Sequence, residues 1–226
     1  EAAHKKYLND YFQGAVEGSL SRGELYNDDP ELRDARLCGT TASLCGIEAA
    51  RYEGAGAKLE WALRLDLMLH AYMFMQSGIP VLYSGDEIGQ LNDYAYHEDP
   101  LKWDDSRYIH RGNLNWEEVK LRKKKDTRQG KIFNGLKKLE YIRMKNEVFL
   151  NDADTWIVEC YNDHVLGIGR YYNKQKLIAL FNFNDGDETA WINEPEDYVD
   201  LMSGEQVRAE SFGLHSYEFR WLMTTF

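Results

Sequence analysis

The chain has 226 residues, with 43% apolar and 29% charged side chains and 30 aromatic rings, counted as 6 Trp, 15 Tyr and 9 Phe. That balance excludes intrinsic disorder and collagen-like architecture and is enough to build one large core or two small ones. The 38 acidic residues outweigh 27 basic ones, for a net charge of −11, so nucleic acid and anionic membranes are poor partners and a neutral or cationic ligand is favoured.

The chain opens Glu1-Ala2-Ala3, without Met or a signal peptide, and enters a helical pattern at once. The expectation is a piece of a longer protein or a processed product. Tyr7, Leu8, Tyr11 and Phe12 mark a short amphipathic helix, followed by a loop rich in Gly, Asn and Asp. A second helix is predicted over Thr40 to Ala50. After the breaker Gly54-Ala55-Gly56, apolar residues recur nearly all round from Lys58 to Gln76, the pattern of a helix buried on most of its surface. Arg64, Asp66, His70 and Gln76 interrupt the greasy region from Trp61 to Tyr83, which is not transmembrane.

Gly78-Ile79-Pro80-Val81-Leu82-Tyr83 is a continuous apolar run and predicts a strand covered on both faces, as in a parallel sheet. It ends in the polar loop Ser84-Gly85-Asp86-Glu87-Ile88-Gly89, and in α/β folds ligands bind at such strand ends. Residues 90–126 have little periodicity and are crowded with Asn92, Asp93, His97, Glu98, Asp99, Trp103, Asp104, Asp105, Arg107, His110 and Arg111, so a functional loop is expected. A helix follows from Thr127 to Glu147. From Ala153 the pattern changes to short strands, at Trp156–Val158, Val165–Gly169, Leu177–Phe183, Thr189–Ile192, Tyr198–Leu201 and Ser216–Leu222. Turn signals at Asn162-Asp163 and Asn173-Lys174 separate the first of these, and the set reads as an antiparallel sandwich.

Gly78 to Gly89 resembles the strand-eight motif of the α-amylase family of glycoside hydrolases. Leu91-Asn92-Asp93-Tyr94, Asp104-Asp105-Ser106-Arg107 with His110-Arg111, Gly18 to Gly23 and Arg36 to Ala42 are similar to its amylosucrase and sucrose hydrolase subgroup, as is the turn Asp200 to Glu205. The resemblance implies an α/β plus all-β protein: residues 1–150 as the C-terminal segment of a (β/α)8 TIM barrel, with helix seven, strand eight, a long active-site loop and helix eight, and residues 151–226 as a β-sandwich. It implies a retaining glycoside hydrolase or glucosyltransferase acting on sucrose or an α-glucan, with no cofactor. The family's nucleophile, acid/base and transition-state-stabilising residues match nothing here and are expected upstream, so the catalytic set within this chain is empty and the chain alone is expected to be inactive.

The resemblance also implies substrate-binding roles for Arg107, at the pocket floor, and Arg36, on the acceptor side. The bland alternatives are a loop-stapling pair of Arg107 with Asp104 or Asp105, and a solvated loop arginine at position 36. Asp86 and Glu87 do not make a catalytic pair, because adjacent residues at a strand end point apart. Tyr94, Tyr96, Trp103 and Tyr108 suit either sugar stacking or pinning of the loop. Lys120 to Lys131 reads as a solvated basic face. His4, His70 and His164 lack metal-ligand spacing, and His97 and His110 read as hydrogen-bonding loop residues, so no metal is assigned.

Cys38, Cys45 and Cys160 read as buried thiols in a reducing compartment, which favours the cytoplasm. A partial barrel would leave strand edges and helix flanks uncovered, so association with the remaining barrel segment or a second copy is expected. The rival reading is a non-catalytic carbohydrate-binding or assembly module; an α-glucosidase or trehalose-forming relative is a further alternative within the enzyme class.

Overall fold

The computed structural model describes residues 2–32, 34–194, 196–208 and 210–224. Contacts divide the chain into two units, Glu1–Asp66 with Leu82–Phe133, and Leu67–Val81 with Asn134–Phe226.

The first unit begins with helix α1 (Ala2–Gln13). The Gly/Asn/Asp-rich stretch after it, read from sequence as a loop, contains an antiparallel hairpin of β1 (Glu24–Asp29) and β2 (Asp34–Cys38), in which Tyr26 pairs with Arg36 and Leu25 with Leu37. The predicted helix over Thr40 to Ala50 is two short ones, α2 (Thr41–Leu44) and α3 (Ile47–Tyr52). Gly46 separates them at φ 91°, a left-handed value that a side chain disfavours, and a Cβ there would lie 2.7 Å from the Cβ of Leu20. Thr40 caps α2 through its side chain, which accepts the Ser43 N–H.

Helix α4 (Gly56–Met75) matches the apolar pattern and buries Ala62, Leu63, Met68, Ala71, Phe74 and Met75, but Trp61 and Tyr72 remain more than a third exposed. No helix among the described residues is long and apolar enough to cross a membrane.

The predicted strand at Gly78 to Tyr83 does not form. The segment joins no sheet, and Ile79 is 87% and Val81 74% exposed rather than buried on two faces. The apolar run carries the composition of a buried parallel strand, but strand geometry needs a neighbouring backbone to complete its hydrogen bonds, and the segment has none among the described residues. The long loop is better ordered than its lack of periodicity suggests: it holds 3-10 turns at Asp86–Ile88, Tyr94–Glu98 and Ser106–His110, and helix α5 (Trp116–Leu121). Helix α6 (Arg128–Lys145) follows.

The second unit contains the sandwich. Strands β3 (Asp154–Val158), β4 (Val165–Tyr172), β5 (Gln175–Asn182), β6 (Glu188–Trp191), β7 (Asp197–Asp200), β8 (Gln206–Arg208), β9 (Ser211–Leu214) and β10 (Phe219–Thr224) form a six-stranded antiparallel sheet in the order β3-β4-β5-β10-β7-β8 and a two-stranded ladder β6-β9. The β4–β5 turn is set by Asn173 and Lys174, both at positive φ (47° and 67°), as a tight hairpin requires.

Val158, Ile178, Leu180, Tyr198 and Leu222 from the large sheet meet Ala190, Ile192, Phe212 and Leu214 from the small one. Strand β5 is buried on both faces. Its other face carries Phe181, edge-on to Tyr72 at 5.8 Å and opposite Phe219, whose ring meets Trp221; Trp221 in turn packs on Phe149 at 5.1 Å. The fully buried Arg170 donates Nε to the Val148 carbonyl, one terminal nitrogen to Met75 and the other to Leu150, each at 2.8 Å. One guanidinium thus satisfies carbonyls at the end of α4 and around the turn Glu147–Phe149. All three cysteines are free and buried.

Candidate functional site

Strand β1 is gripped residue by residue by the long loop. The Glu24 carboxylate accepts from the Tyr96 hydroxyl and meets His97 Nε2 at 2.9 Å. The Leu25 carbonyl accepts from Ser106 Oγ at 2.9 Å, and the Tyr26 ring lies under the Arg107 guanidinium, 4.3 Å from its centroid. Tyr96 stacks on His97 at 4.1 Å, and Cys38, Tyr96 and Ile109 form a small buried cluster with Tyr26 and Tyr108 against it. Asp105 starts the last turn by accepting the Arg107 N–H, and its two oxygens take the Arg107 side chain in a fork, Nε at 2.8 Å and a terminal nitrogen at 2.7 Å. This fork holds the Asp105 carboxyl down at about 2 and raises the Arg107 guanidinium further. Of the two aspartates considered from sequence, Asp105 is the partner.

Arg36 stands on β2 directly across from Tyr26, exposed. The hairpin register therefore brings the two arginines singled out in the sequence to one tyrosine: Arg107 lies over its ring and Arg36 is its cross-strand neighbour.

A second knot fixes the loop's beginning. Asn92 Oδ1 accepts the Thr40 N–H at 2.8 Å, its Nδ2 donates to the Arg22 carbonyl at 2.7 Å, and its backbone N–H donates to Ser43 Oγ at 3.0 Å. Ser43 Oγ in turn donates to buried Glu48 at 2.5 Å, whose other oxygen accepts the Tyr94 hydroxyl at 2.9 Å. Burial, reinforced by Glu48, pushes the Tyr94 phenol up to about 12, so it is a hydrogen-bond donor throughout the working pH range. Sequence reading found Asn92 and Tyr94 but not Glu24, Ser43 or Glu48, because loop partners 46 to 73 residues away leave no local pattern.

Asp86 and Glu87 turn back on their own loop, accepting the Tyr83 N–H at 3.0 Å and the Gly85 N–H at 2.8 Å. Gly89, at φ 58°, lies against Ile132, whose Cδ1 would be 2.4 Å from a Cβ, so only glycine fits this close approach. His110 sits edge-on to Tyr83 at 5.7 Å, and burial, with Arg111 beside it, holds its imidazole below the usual value. Trp103 is exposed, whereas Tyr96 is buried and serves as a loop pin. In the basic run, Arg128 is tied to Glu118 at 2.5 Å and to the Gly89 carbonyl at 2.6 Å, so that face is only partly solvated.

No cluster of three His, Cys, Asp or Glu among the described residues is arranged to hold a metal ion. A cleft of about 220 Å³ lies between Asp93, Lys102, Tyr108 and Arg111. That is below the roughly 300 Å³ at which small-molecule pockets begin.

No protein-family model matches the chain. It is 30% identical over 145 residues to a cyclomaltodextrinase of Thermoanaerobacter pseudethanolicus, covering 64% of this chain and 21% of that protein. Among solved structures it is similar to AmyP in complex with maltose (TM-score 0.62, 19% identity, 81% of this chain and 38% of the other). It is also similar to an Anoxybacillus α-amylase described as a new glycosyl hydrolase subclass (TM-score 0.54, 19% identity, 79% and 35%). The chain thus spans about a fifth of the curated relative it matches and just over a third of each of these two structures. It is similar to the C-terminal region of α-amylase-family glycoside hydrolases, with the β-sandwich as the shared fold.

Proposed function

We propose that this chain is the C-terminal portion of a retaining α-amylase-family enzyme that acts on an α-glucan or on sucrose, with residues 1–150 completing the catalytic barrel and residues 151–226 forming its sandwich. The reaction is a double displacement: a carboxylate displaces the leaving sugar, whose oxygen takes a proton from the acid/base, and water or a sugar hydroxyl then releases the glucosyl group. Those carboxylates belong to the rest of the barrel, and the chain alone is inactive. Its own contribution is the wall of the pocket, where Arg107 and Arg36 donate hydrogen bonds to sugar hydroxyls.

The observation that carries this reading is the convergence of the Asp104-Asp105-Ser106-Arg107 turn and the Arg36 hairpin on Tyr26. A forked carboxylate holds Arg107 in one orientation and leaves further N–H groups to donate, which is what positioning a polyhydroxyl ligand needs.

The test uses the longer protein, assayed on sucrose and on maltooligosaccharides. Arg107→Ala should lower kcat/KM at least about tenfold, equivalent to losing one charged hydrogen bond in the transition state. Arg36→Ala should chiefly raise KM for the acceptor. Hydrolysis of starch with no turnover of sucrose would remove the sucrose-specific part of the proposal; unchanged kinetics in both variants would remove the arginines from the site.

A further inference from the structure

The β6–β9 ladder covers the sandwich core with Ala190, Ile192, Phe212 and Leu214. Since Ala190 points inward, alternation along β6 turns Thr189 and Trp191 outward, and Asn193, two residues beyond the strand, is exposed. Trp191 is 53% exposed, and its N–H donates to the Cys160 carbonyl at 2.9 Å, which sets the next residue, Tyr161, alongside it. Tyr161 is 60% exposed and sits at φ 50°, a left-handed value that bulky residues rarely adopt. It is tied at both ends: its N–H donates to Glu159 at 3.0 Å, and its hydroxyl accepts from Asn193 Nδ2 at 2.6 Å. The backbone bond from Trp191 to Cys160 and the hydroxyl contact with exposed Asn193 seat Tyr161 beside the end of β6 that carries the indole.

The rest of that face is small and open. Trp191 opposes Ser211 across the ladder and Thr189 opposes Gly213, where a Cβ would meet nothing within 4 Å. Exposed rings in a fixed conformation, bordered by an amide and short hydroxyls, match a ligand that offers apolar ring faces and a rim of hydroxyls. The chain carries a net charge of −11, so phosphate-bearing or acidic ligands are repelled and a neutral one is accepted.

We propose that the outward face of β6–β9, with Tyr161, Trp191 and Asn193 as its contacts, is a docking platform for a neutral oligosaccharide, built from residues other than those of the 84–113 loop. Its sugar is taken to be an α-glucan on the strength of the functional reading above; the platform's existence rests on this surface alone.

The experiment is a calorimetric titration of the chain with maltoheptaose. Weak saturable binding is expected, reduced at least about tenfold in Trp191→Ala and in Tyr161→Ala, the effect of roughly one lost stacking contact, and reduced less in Asn193→Ala. Lys125→Ala, an exposed substitution with no assigned role in sugar binding, should bind like the parent chain. Gly213→Arg, placed where the space is open, should block binding without loss of melting temperature, which separates loss of the platform from loss of the fold. Binding that is unchanged in the Trp191, Tyr161 and Gly213 variants but lost in Arg107→Ala would overturn the platform while supporting the barrel-wall reading. Absence of binding to the chain would overturn the platform and leave the kinetic test of the longer protein standing. Concentration-dependent self-association that Trp191→Ala abolishes, without sugar binding, would assign the face to a second copy instead.

Discussion

The sandwich and the 84–113 loop are held together by different chemistry. In the sandwich, neighbouring strands exchange backbone hydrogen bonds while Ile178, Leu180, Leu222 and Phe212 fill the space between two sheets. In the loop, order comes from side chains reaching backbone groups or carboxylates far along the chain: Asn92 to Thr40 and Arg22, Ser106 to Leu25, Tyr96 to Glu24. Burial in the first is spread over many residues and tolerates conservative exchange. Hydrogen bonds in the second are few and specific, so single deletions should loosen a segment without unfolding the molecule.

The largest effect should come from a place in the sandwich unit where a side chain takes over this role. Arg170→Ala takes the guanidinium donor from three carbonyls, two of them buried, and is expected to cost about 3 kcal/mol, read as a lower urea midpoint. Arg170→Lys should restore only part of that, because one ammonium cannot replace the planar fork. Trp221→Ala, in the continuous core, should cost a comparable 3–5 kcal/mol or so. Equal loss from Arg170→Ala and from an exposed control such as Arg36→Ala would break the comparison.

Asn92→Ala should cost about 1–2 kcal/mol, with the larger signal being faster proteolysis between residues 84 and 113 and unchanged protection of β4 and β5. A uniform loss of protection in both regions would show that the loop is not an independent layer of order.

A smaller effect is pH dependence at the sandwich end. Glu188 accepts from Asn162 at 2.7 Å, Asn184 at 2.5 Å and His164 at 2.7 Å, and these partners hold its carboxyl at about 2. Its folded value lies below the ordinary glutamate value of about 4.3, so its contribution is complete above that pH and fades as pH falls towards 2. Glu188→Gln should therefore flatten the stability curve between about pH 4.5 and 2 and leave its shape near neutrality unchanged. An unchanged acid limb would remove Glu188 from the account.

Sequence reading followed the same divide. The sandwich was legible because Leu177 to Phe181 and Val165 to Ile168 carry strand patterns and Asn173-Lys174 a turn. The short β8 and β9 escaped notice because Gln206, Arg208, Ser211 and Gly213 are polar or small, and their pairing depends on distant partners. The β1–β2 hairpin was hidden by Asn27, Asp28 and Asp29, which favour turns in isolation. Arg107 and Arg36 came from resemblance, and only the hairpin register shows that they share Tyr26.

Ile79 to Tyr83 carries a consequence for experiment. The segment has a strand's composition but sits in no sheet, with Gly78 held by Asn151 and Tyr83 by Asp86 at its two ends. Its amide protons should trade for deuterium almost as fast as those of a free peptide, while β5 stays silent for hours. Any molecule that lays a neighbouring strand along it will slow that exchange, so these few residues form a native reporter of strand addition that needs neither a label nor a substrate.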